Sequence, residues 1–214
     1  MTTTHGPTTH GPTTHGPTTQ GPTGTAAGSR TGYHVADQAA VVTSSPARRA
    51  LAALRVTFGL TFLWAFLDKL LALGFSTGAG PDGAVDRFGP AAWVNGGSPT
   101  DGFLRFGAAG PFKGFYNSIG GAAWADWLFM LGLLGIGVAL TLGIGIRVAA
   151  AAGTVLYVLM WTVALPPDTN PVLDVHILGA ISMVVLGLTL AGDTWGLGRV
   201  WARLPLVRQH PVLR

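Results

Sequence analysis

The apolar positions of this chain are concentrated in four long runs, separated by polar or glycine-rich stretches. A membrane-spanning helix needs about 20 mostly apolar residues, and each run is close to that length. The pattern therefore predicts an all-α fold, an integral membrane four-helix bundle. The predicted spans are residues 51–73, 125–144, 147–165 and 172–191, within a membrane domain of residues 47–200.

The first run, LAALRVTFGLTFLWAFLDKLLAL, contains the charged residues Arg55, Asp68 and Lys69. A charge at mid-membrane costs at least about 2.5 kcal/mol on the insertion scale, so these side chains need polar surroundings. At about 100° per residue, one stripe of the helix contains Arg55, Gly59, Phe62, Phe66 and Lys69. We expect this stripe to face other helices rather than lipid, with Asp68 pointing away from Lys69.

The segment before the first run is polar and repetitive. Three copies of TTHGP occupy residues 3–17, and TTQGP follows at residues 18–22. Glycine and proline in every unit prevent a helix, and few apolar side chains are present to offset the entropy of ordering. Residues 1–46 are therefore predicted to be a disordered cytoplasmic tail. Its spaced histidines, His5, His10 and His15, could chelate a metal weakly, but a solvated tail is the favoured interpretation.

The connection between the first two spans, residues 74–123, is glycine-rich and too long for a simple turn. Ser98, Pro99 and Asp101 suit the cap and first turn of a short helix over residues 99–108. A second helix is predicted after Gly110-Pro111, with an apolar stripe of Phe112, Phe115, Tyr116 and Ile119. Such helices usually lie in the membrane interface. This interfacial helical loop either anchors the protein or forms a lid over a site, and anchoring is favoured.

Composition and charge support a membrane protein. The chain is 49% hydrophobic and only 10% charged, and its mean hydropathy is +0.45. Arginines concentrate on one side of the predicted spans, including residues 199–214, and aspartates on the other, so both termini are expected in the cytoplasm and the protein in the plasma membrane. Residues 201–214 form a basic cytoplasmic tail. This topology explains the pI of about 10.1 without nucleic acid, and the absence of cysteine excludes thiol chemistry.

Ionisable residues from three spans are expected at one depth near the outer ends of the helices. They are Asp68, Lys69, Asp126, Asp174 and His176. Such groups within a membrane bundle mark a polar pocket by default. Asp174 and His176 are two residues apart, about 200° on a regular helix, so both face one pocket only if that helix begins irregularly.

Each of these residues also has a structural explanation. Lys69 could extend to the interface, and His176 could be a satisfied core histidine. Arg55 could bind anionic lipid, and Asp126 suits the N-terminus of a helix whatever its function. The sequence leaves these alternatives open.

The favoured chemistry is quinone binding, with no protein-bound metal. Quinone carbonyls need hydrogen-bond donors, and their reduction needs a route for protons. Lys69 and His176 would contact the quinone head, with Asp174 or Asp68 as proton relay and Arg55 and Asp126 as further polar contacts. Gly59, Phe62 and Phe66 would line a groove for the isoprenoid tail. A redox centre would come from a partner, because the sequence shows no motif for one.

Three stretches resemble the DoxX/DoxD family. The first is R-x3-G-x2-F ending in D-K-L, at residues 55–70; the second is WVNGGSPTDGFL, at 93–104, with GPF at 110–112; the third is NPVLDVH, at 170–176, followed by AGDTWGLGRVW, at 191–201. The resemblance covers about residues 51–201 and implies a four-helix membrane protein. For the DoxD branch it implies the small subunit of a thiosulfate:quinone oxidoreductase, which works with a partner subunit. One acid, Asp174, precedes His176 where the resemblance implies two.

The sequence therefore fits two functions. The first is a membrane subunit of an oxidoreductase that passes electrons from thiosulfate or another sulfur donor to quinone. The alternative is a non-catalytic scaffold that docks a peripheral redox enzyme, as some DoxX proteins are thought to do. The expected partners are the lipid bilayer and a second redox subunit or peripheral enzyme, with a homo-oligomer also open and no nucleic acid. A solute carrier is disfavoured, because no span is interrupted by glycine and proline as transporter sites are.

Overall fold

The computed structural model describes residues 1–3, 6, 37–168 and 170–214. The chain divides into two units, Met1–Gly32 and Tyr33–Arg214. The predicted repeats, apart from Thr3 and Gly6, and their histidines, His5, His10 and His15, lie outside the described residues. All the elements of secondary structure described below belong to the second unit.

The second unit is helical, and the described part of it contains no named strand. Its α-helices are α1 (Gln38–Val41), α2 (Ser45–Leu71), α3 (Lys113–Ile119), α4 (Ala123–Leu142), α5 (Ile146–Val163), α6 (Val175–Leu188), α7 (Gly198–Trp201) and α8 (Pro205–Gln209). Of these, α2, α4 and α5 are long and apolar enough to cross a membrane. The fourth predicted span corresponds to α6, which is apolar but has only 14 residues. At 1.5 Å per residue it is about 21 Å long, shorter than the roughly 30 Å hydrocarbon core of a bilayer.

The N-terminal end of the helical unit lies earlier than the sequence predicted. Residues 37–46 were assigned to a disordered tail, whereas α1 and the start of α2 lie within them. Polar caps explain the difference: the Asp37 side chain accepts a hydrogen bond from the Ala40 amide, and Ser44 Oγ accepts one from the Ala47 amide. Pro46 lies in the first turn of α2, where its missing N–H costs no hydrogen bond.

The apolar helices pack in chain order, α2 against α4, α4 against α5 and α5 against α6. The core between them contains Phe62, Met130, Leu133, Met183 and Leu186. The outward faces of α4 and α6 carry exposed leucines and isoleucines, including Leu128, Leu131, Leu178, Ile181 and Leu188. An exposed apolar surface of this extent suits lipid rather than water. Together with the length of α2, α4 and α5 it identifies a membrane protein.

The two ends of the helix assembly differ. One end, which we call the loop end, carries the long connection 72–122. There α2 ends at Leu71 and α5 at Val163, and α4 begins at Ala123 and α6 at Val175. The opposite end we call the Arg55 end, because the guanidinium of Arg55 lies there against the last turn of α4.

The long connection contains the two short helical segments that the sequence predicted, with different detail. Ser98 Oγ accepts a hydrogen bond from the Asp101 amide at 3.1 Å, as expected for a cap. The following turns do not continue as an α-helix, since Phe103–Gly107 adopts a π-helical turn. The second segment is α3, which begins directly after Gly110, Pro111 and Phe112.

The predicted basic tail, residues 201–214, is folded back on the Arg55 end. It contains α8 and a 3-10 turn at Pro211–Leu213. Trp201 Nε1 donates to the Leu213 carbonyl at 2.6 Å, and the buried Arg214 guanidinium pairs with Asp193 at 2.8 Å.

Candidate functional site

Asp174 and His176 form a close pair at the start of α6. Asp174 Oδ2 lies 2.5 Å from His176 Nδ1, and the other carboxylate oxygen accepts the backbone amides of His176 and Ile177 at 3.0 and 3.3 Å. Asp174 is the N-cap and has an extended backbone. The irregular start of the helix therefore removes the 200° separation that the sequence predicted for a regular helix.

The pair fixes the chemistry of the imidazole. An ionised carboxylate only accepts hydrogen bonds, so Nδ1 is the donor and Nε2 is left as the second functional atom of the ring. No protein group in residues 37–168 or 170–214 forms a hydrogen bond with Nε2. The His176 side chain is 17% exposed and that of Asp174 is 12% exposed, which leaves limited access from outside. A neutral Nε2 accepts a proton or a hydrogen bond, and a protonated one donates.

One aromatic side chain of α5, that of Tyr157, lies next to this pair and also contacts two phenylalanines of α2. The ring of Tyr157 is 6.5 Å from that of His176, measured between centroids. On its other sides Tyr157 makes edge-to-face contacts with Phe62 at 5.5 Å and with Phe58 at 6.1 Å. We call His176, Asp174, Tyr157, Phe62 and Phe58 the histidine cluster. It is the one place in the described residues where a predicted polar site residue is linked by ring contacts to the predicted apolar groove.

The sequence did not predict Tyr157 as a member of this cluster. Gly179 of α6 admits its ring, since a Cβ at Gly179 would lie about 2.7 Å from the ring carbons. A tyrosine in an apolar helix and a glycine in the following apolar helix were both visible in the sequence. The sequence did not show that the tyrosine lies opposite the glycine, because this depends on how far the turn between the two helices shifts one along the other.

Asp68 and Lys69 form a separate group at the end of α2. The buried Asp68 carboxylate accepts the amides of Phe75 and Ser76 at 3.1 and 2.9 Å and the Ser76 hydroxyl at 2.6 Å. Lys69 Nζ donates to the same hydroxyl at 2.9 Å. This group holds the first residues of the long connection against the helix.

Asp126 forms a third group. One of its carboxylate oxygens accepts the Ser98 hydroxyl at 2.8 Å, the Thr100 hydroxyl at 2.6 Å and the Thr100 amide at 3.1 Å. The residue is buried, so these bonds fix residues 98–101 to the first turn of α4. In the part of the chain that the structure describes, no hydrogen bond or ion pair joins the Asp68, Asp126 and His176 groups to one another.

Arg55 lies far from these groups, at the opposite end. Its fully buried guanidinium donates to the carbonyls of Leu140, Thr141, Thr194 and Trp195. These carbonyls belong to the end of α4 and to the chain after α6. The contact gives Arg55 a structural task, since it ties those two segments to α2.

The predicted groove residues face protein, as expected for the stripe on α2. Gly59 is buried against Thr141 of α4, where an added Cβ would be about 2.5 Å from Thr141 Oγ1. Phe62 is buried in the core and contacts Tyr157, and Phe66 packs against the same core while partly exposed. Of these three residues, only Phe62 belongs to the histidine cluster, through its contact with Tyr157.

In the described residues, no group of three or more histidine, aspartate or glutamate side chains is placed to hold a metal ion. Comparison with protein-family models, with curated proteins and with solved structures gives no match for this chain.

Proposed function

We propose that the protein is a quinone-interacting membrane subunit of an oxidoreductase, and that the histidine cluster binds the quinone head. The observation that carries this proposal is the His176–Asp174 pair, which lies at the start of an apolar helix and beside the ring of Tyr157, itself in contact with Phe62. A quinone has the same two parts, a carbonyl head that needs a hydrogen-bond partner and an apolar body.

The donor set of the cluster fits this ligand. Asp174 accepts the Nδ1 proton and leaves Nε2 for the ligand. When both ring nitrogens are protonated, Nε2 donates a hydrogen bond to a quinone oxygen and can give it the proton. When Nε2 is unprotonated, it accepts the hydroxyl proton of the quinol. A bound quinone would accept two electrons and two protons. Phe62 and Phe58 would contact the ring or the first isoprenoid unit.

The other candidate residues have different parts in the proposal. Lys69 lies at the same end of the helices and is bonded only to Ser76 among the described residues, so it could move toward a bound head group. Asp68 and Asp126 each accept three hydrogen bonds from the long connection, which supports a role in holding that connection rather than in relaying protons. Electrons would come from thiosulfate or another sulfur donor through a partner subunit, as the resemblance to the DoxX/DoxD family implies.

Quinone binding to the protein in mild detergent tests this proposal. Trp161 is a suitable reporter, since its Nε1 donates to the Val172 carbonyl two residues before Asp174. We expect saturable quenching of tryptophan fluorescence by a short-chain quinone, with most of it lost in Trp161→Phe and the affinity lost in His176→Ala. His210→Ala, at an exposed histidine near the Arg55 end, is the matched control and should bind as wild type does. Equal affinity in His176→Ala and wild type would contradict the proposal.

A scaffold function is the second candidate, and the Asp68 and Asp126 groups favour it because their hydrogen bonds shape the long connection. On this account the protein docks a peripheral redox enzyme, either through that connection or through the exposed Arg199, Arg203 and Arg208. Replacing these three arginines by glutamine should then release the partner, whereas His176→Ala should not. Retention of the partner by both the arginine variant and a variant with a shortened connection would exclude docking.

We also propose that α6 completes a four-helix bundle in the plasma membrane, with both termini in the cytoplasm. The apolar α6 packs along α5, and the arginines lie mainly at the Arg55 end, which supports this orientation. The chain has no cysteine, so single-cysteine variants can be labelled in intact cells with an impermeant maleimide. Asp82→Cys should react from outside and Gln209→Cys only after lysis; the reverse pattern would overturn the orientation.

A further inference from the structure

The short helical segments of the long connection present aromatic side chains outward. Phe106, in the π-helical turn, is 84% exposed, and Phe115 of α3 is 60% exposed. Phe112, directly before α3, is exposed as well. Three exposed phenylalanines in one short stretch of the chain need a non-aqueous neighbour, because water is the least favourable surrounding for them.

The opposite side of α3 is fixed to the end of α5. The Tyr116 hydroxyl forms a hydrogen bond with Thr162 Oγ1, and the Tyr116 ring packs in a small core with Ala108 and Val163. The Ala109 amide also donates to the Val163 carbonyl. These contacts hold α3 beside the last turn of α5, so it is not free to move into solution.

This location decides what lies next to the phenylalanines. The last turn of α5 is where a candidate membrane span ends, so in a bilayer crossed by α5, α3 would lie at the depth where acyl chains meet head groups. Leu159, one turn earlier on α5, is exposed on the outward face of that span, and its carbonyl is a further acceptor for the Tyr116 hydroxyl. At the same end, Trp124 and Trp127 in the first turns of α4 are exposed, and tryptophan is enriched at membrane interfaces. The exposed aromatic surface thus continues the lipid-facing surface of the helices.

We propose that α3 and the turn Phe103–Gly107 form an interfacial anchor, in which Phe106, Phe112 and Phe115 insert into the acyl-chain boundary of the bilayer that α2, α4 and α5 cross. Lys113, exposed at the start of α3, is placed to meet lipid phosphates. The anchor keeps the connection beside α5 at the loop end. It does not depend on quinone binding, so the two proposals can fail separately.

The absence of cysteine makes a direct depth measurement possible. Single-cysteine variants Phe106→Cys, Phe112→Cys and Phe115→Cys would carry a nitroxide label in vesicles of phosphatidylcholine and phosphatidylglycerol. Collision rates with oxygen, which concentrates in the acyl region, and with a water-soluble nickel complex report depth. Leu131→Cys, on the exposed face of α4, is the control for the acyl region, and Asp82→Cys, exposed in the connection, is the control for water.

The proposal predicts that all three phenylalanine positions resemble Leu131→Cys, with nickel collision rates several-fold below that of Asp82→Cys. Nickel collision rates equal to that of Asp82→Cys would overturn it, since the side chains would then face water. Exclusion of both reagents at the three positions would also overturn it, because a protein surface, such as a second copy of the chain, would cover them. Each variant replaces an exposed side chain, and elution of the labelled protein as wild type confirms its fold.

Discussion

At the scale of single residues, Arg55 shows how this protein keeps a charge inside an apolar helix. Its guanidinium is fully buried and donates to four carbonyls, those of Leu140, Thr141, Thr194 and Trp195. The last carbonyls of a helix have no partner within that helix, so a guanidinium with five donors matches them well. The arginine therefore supplies hydrogen-bond donors to the last carbonyls of α4, and the dipoles of these carbonyls stabilise its charge.

Replacing Arg55 tests this account. Arg55→Met should lower the free energy of unfolding by about 3 kcal/mol or more, because several buried carbonyls lose their donor at roughly 1–3 kcal/mol each. Arg55→Lys should recover only part of the loss, since one ammonium cannot span the same set of acceptors. Thermal unfolding in detergent measures both. Arg199→Met, at an exposed arginine, is the control, and an unfolding temperature for Arg55→Met equal to that control would contradict the structural role.

Asp174 has two tasks that substitution can separate, capping α6 and holding the His176 proton on Nδ1. Asp174→Ser keeps a capping oxygen but is too short to hold the ring, so the helix should stay intact while quinone affinity falls about tenfold, equivalent to about 1.4 kcal/mol. Asp174→Ala should lose the cap as well, with a further cost to stability of about 1 kcal/mol. Fluorescence titration and thermal unfolding report the two tasks. Unchanged affinity in both variants would show that the pair is structural.

At the scale of helices, the approach of α2 to α4 depends on one glycine. Gly59→Ala would bring a Cβ to about 2.5 Å from Thr141 Oγ1 and about 2.7 Å from its backbone nitrogen. The backbone of Thr141 cannot move aside as the end of a flexible side chain can, so the added methyl group forces the helices apart. We expect the free energy of unfolding to fall by about 1–3 kcal/mol. Gly132→Ala in α4 meets no atom within 4 Å and is the matched control. Equal unfolding temperatures for the two variants would contradict the close contact.

The connection at the loop end is held to α4 through Asp126. In Asp126→Ala, the hydroxyls of Ser98 and Thr100 and the Thr100 amide lose their shared acceptor. Hydrogen exchange over residues 93–101 should become at least tenfold faster, a change of about 1.4 kcal/mol in local opening. Asp82→Ala, an exposed position in the same connection, should leave it unchanged. Identical exchange in the two variants would argue against the anchor at Asp126.

The helices could be predicted because apolar runs, caps and the stripe on α2 are local features of the sequence. Ser98 caps as its type suggests, and the stripe of Arg55, Gly59 and Phe62 faces protein. The sequence placed Asp68, Asp126 and His176 at one depth in the membrane from their positions along the helices. Equal depth does not bring side chains into contact, because they can lie on different sides of the bundle. In the structure, Asp68 and Asp126 instead accept hydrogen bonds from hydroxyls and amides of the connection. Such partners depend on how the glycine-rich connection folds, which no periodic pattern encodes.

At the scale of the whole molecule, one carboxylate joins segments that are distant along the chain. Asp193 Oδ2 accepts hydrogen bonds from the backbone N–H of Gln38 and from the guanidinium of Arg214, each at 2.8 Å. The Thr194 hydroxyl donates to the side-chain oxygen of Gln38. The residues are buried, so removal of one partner leaves a charge without compensation, which typically costs about 3–5 kcal/mol. The Arg55 end is therefore closed by contacts between residues near both ends of the helical unit.

Limited proteolysis tests the consequence of this junction. Asp193→Ala should speed cleavage both near residues 37–44 and in residues 203–214, because each segment loses a bond to the same oxygen. Arg214→Ala should affect mainly the second segment. Cleavage in Asp193→Ala that is limited to one segment would contradict a shared junction.

Photoaffinity labelling locates a bound quinone on the chain directly. An azidoquinone irradiated with the protein in detergent should label peptides that contain Tyr157 and His176, and excess unlabelled quinone or His176→Ala should abolish the labelling. Mass spectrometry of the digested protein reads the positions. Labelling spread over the lipid-facing residues of α4 and α6, unchanged by competitor and by His176→Ala, would contradict quinone binding at the histidine cluster.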